Sequence, residues 1–98
     1  MKVLHFKSAE EFENYFNKPT PKVAKYIVTA IQEAMMFNRK SADLFSITFE
    51  NQEFAFDISL PQTEWVQALE NVLQKYHGWQ MYDDAIDTYE LKKTLENW

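Results

Sequence analysis

Cysteine is absent from the 98 residues, glycine occurs once and proline three times. Without cysteine there is no disulfide, no thiolate nucleophile and no zinc-thiolate site, so the chain needs no oxidising compartment and carries no thiol redox chemistry. A single glycine excludes the loops that cradle phosphates, because the P-loop and the dinucleotide fingerprint each need several glycines within a few residues. No apolar run approaches the roughly 18 to 20 residues of a spanning helix. The opening MKVLHFKSAEEF turns acidic before an apolar run develops, which argues against a secretory signal. Together these absences point to a cytoplasmic chain (the host cytoplasm, for a phage-encoded one) without membrane association.

Basic charge is also scarce where it would matter for nucleic acid. The net charge is −5, and residues 41–91 hold ten acids against Lys75 alone, whereas residues 1–40 hold seven Lys/Arg against four acids. Phosphate contacts need clustered Lys and Arg, and Lys18, Lys22 and Lys25 are too thin a cluster, so no direct nucleic-acid contact is expected. What the chain does have is aromatic rings: eight Phe, five Tyr and three Trp. A chain of this length buries only roughly two thirds of its unfolded surface, so residues 1–98 are expected to form one compact domain that depends on dense aromatic packing.

Local patterns divide the chain into seven elements. Val3 to Phe6 reads as a strand, and Ser8 with Glu11 forms a capping box that starts a helix bearing Phe12, Tyr15 and Phe16 on one stripe. Pro19 and Pro21 end that helix, and Thr20 with Pro21 opens a second one running to about Asn38. Val23, Ile27, Ile31, Ala34 and Met35 form its buried side, with Tyr26, Val28, Met36 and Phe37 flanking.

LFSITFENQEFAFDISL alternates as a hairpin. A two-residue Asn51-Gln52 turn pairs Phe49 with Phe54, Ile47 with Phe56 and Phe45 with Ile58, all on the core face. Pro61 begins a third helix carrying Trp65, Val66, Leu69, Val72, Leu73 and Tyr76, which His77 and a left-handed Gly78 terminate. The last helix has Met81, Ala85, Thr88, Leu95 and Trp98 on its inner stripe, flanked by Tyr82, Ile86 and Tyr89. Asp83 and Asp84 in its first turn, and Lys92 and Lys93 in its last, complement the helix dipole. The order β-α-α-β-β-α-α implies an α+β domain with about four helices on one face of a three-stranded antiparallel sheet, built from the N-terminal strand and the central hairpin.

No residue set points to catalysis, a cofactor or a metal. His5 and His77 are the only histidines, one in a strand and one at a helix end. Asp83, Asp87 and Glu90 share a helical face, but carboxylates from one helix supply too few directions for an octahedral cation. Residues 82–95, YDDAIDTYELKKTL, resemble the helical-hairpin UVR motif, a protein-contact module, at Tyr82, Asp83, Ala85, Glu90 and Leu95. Tyr89 and Lys92 stand where that motif has arginine and an apolar residue, and so short a likeness does not make the chain a member.

The expectation is therefore a non-enzymatic binding protein, in the style of small phage and mobile-element accessory or inhibitor proteins, that holds a basic protein surface. Its contact residues would be Trp79, Tyr82, Asp83, Asp84, Asp87 and Glu90, the carboxylates for complementarity and the rings as anchors. The alternatives are a homodimer or larger homo-oligomer through the second helix or a free strand edge, a nucleic-acid mimic, and an enzyme using His5 or Asp57 between sheet and helices.

Overall fold

A computed structural model describes residues 2–98. The elements are β1 (Lys2–Phe6), α1 (Ala9–Asn17), α2 (Pro21–Met36), β2 (Ser41–Phe49), β3 (Phe56–Pro61), α3 (Trp65–Gly78) and α4 (Tyr82–Glu96), with a 3-10 turn at Gln62–Glu64. Caps set the first helices. Ser8 Oγ accepts from the Glu11 N–H at 3.2 Å, and Glu11 reaches back to the Lys7 N–H, one residue ahead of the usual capping-box partner. Thr20 Oγ1 accepts from the Val23 N–H with Pro21 at the first helical position. A Schellman motif closes α2: Asn38 sits at φ 54, its N–H donates to Met35 O, and the Arg39 N–H donates to Ala34 O.

The same motif ends α3, and it corrects the expected role of the only glycine. Gly78 lies inside the helix with a negative φ, and the left-handed residue is Gln80 at φ 61. The Gln80 N–H donates to His77 O and the Met81 N–H to Tyr76 O, so the stop comes two residues later than glycine placement implies.

The fold is α+β in the order β-α-α-β-β-α-α, and the sheet runs β1-β2-β3. The sheet is mixed, where an antiparallel one was expected: β1 pairs parallel to β2, from Lys2 opposite Phe45 to Phe6 opposite Phe49. Parallel neighbours need a long crossover, which α1 and α2 supply. The β2–β3 pair is antiparallel with Phe45 opposite Ile58 and Ile47 opposite Phe56, as the alternation predicts.

The two-residue turn does not form. β3 begins only at Phe56, and the Glu50 N–H donates to Phe6 O, so the end of β2 continues its ladder with β1 instead of with β3. Phe54 and Phe56, expected on the core face, are 58% and 46% exposed and pack edge to face at 5.1 Å.

A bulge between Asp43 and Phe45 changes the parity of β2. In an unbroken strand Ala42 and Phe45 would point to opposite faces. With Leu44 as the extra residue, Ala42, Leu44, Phe45 and Ile47 all join the core.

The helices cover one sheet face. Ile31, Ala34 and Met35 of α2, Trp65 and Leu69 of α3, and Leu95 of α4 share a core with Phe6, Phe45 and Ile47. Phe12, Tyr15 and Phe16 of α1 pack around Phe6 with ring centroids 5.4–6.4 Å away. Val3, His5, Ser46, Thr48, Asp57 and Ser59 lie on the other face, where none is buried.

Gly78→Ala is expected to stabilise the protein by about 0.5–1 kcal/mol, since alanine is the better helix residue and a Cβ there meets nothing within 4 Å. Gln80→Gly should add about 1 kcal/mol by relieving the left-handed backbone. Urea midpoints check both, and destabilisation by Gly78→Ala would restore glycine as the terminator.

Candidate functional site

The helical repeat divides α4 into three lengthwise stripes. Ala85, Thr88 and Leu95 face inward and are buried, with Thr88 Oγ1 donating to Asp84 O at 2.8 Å. Asp83, Asp87 and Glu90 face outward and are exposed. Between these runs Tyr82, Ile86, Tyr89 and Lys93, at i, i+4, i+7 and i+11. The first three are 57%, 56% and 45% exposed, although the sequence pattern places them beside the buried stripe.

α3 and α4 pack side by side and are tied by charge at one end. Lys92 Nζ lies 2.8 Å from Glu70 Oε2 and 3.5 Å from Glu96 Oε1. The Lys92 hydrogen bond and charge hold the Glu70 carboxyl below its ordinary range, and the hydrogen bond to Glu70 raises the Lys92 ammonium. At the other end Val72, Tyr76 and Ala85 form a second buried cluster with Ala24 of α2, packed by Trp79 and Met81. Between these ties an open groove of about 580 Å³ runs along the outside of the pair, lined by Leu73, His77, Tyr82, Ile86, Tyr89 and Lys93. A second groove of about 380 Å³ separates Val28 and Gln32 of α2 from Asp87 and Leu91, and Glu90 borders both.

The six candidate contact residues therefore divide. Tyr82, Asp83, Asp87 and Glu90 share one exposed surface. Trp79 is half-buried at the α3–α4 turn with its ring edge-on to Tyr76 at 6.2 Å, and lines a different groove with Asn71, Gln74, Lys75 and Gly78, apart from the other candidates. Asp84 is half-buried on the opposite flank of α4 from Tyr82, where its charge acts on Tyr76. Ile86 and Tyr89 belong to this exposed surface, with half-buried Leu73 beside them in the groove, but are not among the candidates. The signal was present: Tyr82, Ile86, Tyr89 and Lys93 form a stripe of their own, distinct from Ala85, Thr88 and Leu95.

Other surfaces expected to carry function are arranged differently. α2 spends its apolar faces in the core, leaving Met36 and Phe37 exposed at its C-terminal end with Arg39 stacked 5.4 Å from the Phe37 ring. The edges of β1 and β3 stay unpaired within the chain. His5 and Asp57 lie on the open sheet face, not between sheet and helices, and His5 Nδ1 is 2.9 Å from Thr48 Oγ1 across the β1–β2 pair. Among the described residues no three His, Asp or Glu side chains form a metal-binding group, and no helix is long and apolar enough to cross a membrane. No protein-family model, curated protein or solved structure matches the chain.

Burial, and then the Asp84 charge, raise the Tyr76 phenol above its ordinary value of 10.0. Above that pH the unfolded chain releases this proton while the folded one holds it, so stability falls as pH rises toward the folded value. Urea midpoints across the alkaline range should decline less steeply in Tyr76→Phe than in the wild type. An identical slope would show that Tyr76 does not contribute.

Proposed function

We propose that this protein is a small non-enzymatic protein-binding module whose contact element is α4. It acts as an accessory or inhibitor protein, of the kind phages and mobile elements make, on a cytoplasmic partner with a basic surface. The observation that carries the reading is the exposed Tyr82–Ile86–Tyr89 stripe lying directly beside the Asp83–Asp87–Glu90 stripe. A contiguous apolar stripe left in water by so small a domain marks a contact surface. Carboxylates along its border favour a basic partner and steer its approach, while Tyr82 is a ring of the type that anchors interfaces. The charge distribution supports the same partner, since the excess of acid lies in residues 41–91.

The test is a tagged pull-down from bacterial lysate, washed at low and high salt, with mass spectrometry of what remains. One stoichiometric partner, lost at high salt, is expected. The double reversal Asp83→Lys with Asp87→Lys should weaken its binding by about tenfold or more and flatten the salt dependence. Binding that ignores the reversal would remove α4 as the contact element.

A further inference from the structure

We propose that the groove between α3 and α4 is filled by α4 of a second copy of this chain, antiparallel about a two-fold axis. The proposal rests on the reading of α4 as the contact element and adds what covers its apolar stripe. A two-fold interface requires one surface to carry both halves of the fit. This surface does: Tyr82, Ile86 and Tyr89 of α4 project as one wall of the groove, Leu73 and His77 of α3 line the other, and the space between would receive the same row from another copy.

The order of charge along the stripe selects the direction. Asp83 borders its N-terminal end, Ile86 and Tyr89 occupy the middle, and Lys93 ends it about three helical turns from Tyr82. With Ile86 opposite the partner's Tyr89, an antiparallel seam sets Tyr82 opposite the partner's Lys93 and brings Asp83 beside that ammonium at both ends. A parallel seam would set lysine against lysine. Lys93 is available for such a pair. Among the described residues it meets no carboxylate within 4 Å and lies only over its own Tyr89 ring at 5.4 Å, whereas Lys92 is held by Glu70 and Glu96. The basic partner proposed above therefore meets the carboxylates outside the groove, away from Lys93, while inside the groove a second copy brings Asp83 to Lys93. Glu90 stands at the edge of the groove, whereas Asp87 lies outside it and faces away from the seam, leaving both copies' Asp87 carboxylates open to that basic partner.

Sedimentation velocity of the full chain, from low micromolar to several hundred micromolar, tests this with a charge swap. The wild type is expected to dimerise. Asp83→Lys alone and Lys93→Asp alone each oppose like charges at both ends and should raise the dimer dissociation constant at least about tenfold. Mixed in equal amounts, these two variants restore an unlike pair at each end and should form a heterodimer near wild-type strength. Ile86→Asp should be monomeric alone and in every mixture. All three positions lie on the α4 surface, and circular dichroism confirms that each variant is folded.

A wild type that stays monomeric overturns the proposal, as does a dimer indifferent to Ile86→Asp and to both reversals. The two readings fail separately: a monomer that still captures a basic protein through Asp87 and Glu90 removes only the second copy. A dimer with no such partner removes only the basic-partner reading.

Discussion

Trp65 fixes how the helical half of the molecule meets the sheet. Its ring is wholly buried, and its indole N–H donates to the Leu60 carbonyl at 2.7 Å, tying the first residue of α3 to the last turn of chain before it leaves β3. A buried indole without that bond would leave a polar group unpaired in the core. The Leu60 carbonyl also takes the Ser41 hydroxyl, so the start of β2, the end of β3 and the start of α3 converge there. Leu95 shares the same core and Trp98 stands edge-on to Trp65 at 6.4 Å, so the C-terminal end of α4 returns to this anchor.

With one end of the α3–α4 pair held at Trp65 and the other by Tyr76, Val72 and Ala85 against Ala24, α4 has little freedom to roll. It can bury only one of its apolar sides. Burying a large apolar side chain is worth about 1.5–3 kcal/mol, in a domain whose net stability is of the order of 5–15 kcal/mol. Tyr82, Ile86 and Tyr89 are each about half exposed, so leaving them in water forgoes roughly 2–5 kcal/mol, a sizeable fraction of that stability. That loss is what makes the stripe informative.

The sheet serves the same arrangement from below. The bulge at Leu44 turns Ala42 inward so that the start of β2, beside Trp65, presents apolar side chains to the helices. The capture of Glu50 by β1 ends the hairpin pairing early and leaves Phe54 and Phe56 outside. Meanwhile the polar face of His5, Thr48, Ser46 and Asp57 stays open, with acids and hydroxyls where a nucleic-acid platform would need bases.

Local chemistry determined the order of elements, the Ser8 and Thr20–Pro21 starts, the Phe45–Ile58 and Ile47–Phe56 pairs, and the outward run of Asp83, Asp87 and Glu90. Each depends on neighbours within a few residues or on strict periodicity, so one-dimensional order is enough to specify it. The direction of β1, the bulge, the left-handed Gln80 in place of Gly78 and the packing of Trp79 against Tyr76 were decided only in three dimensions. An edge strand reads the same whether its neighbour is parallel or antiparallel, and a helix with several apolar sides does not say which one a distant element will cover. On α4 the tertiary packing against α3 made that choice, sealing Ala85, Thr88 and Leu95 inside and turning Ile86 and Tyr89 toward whatever binds there.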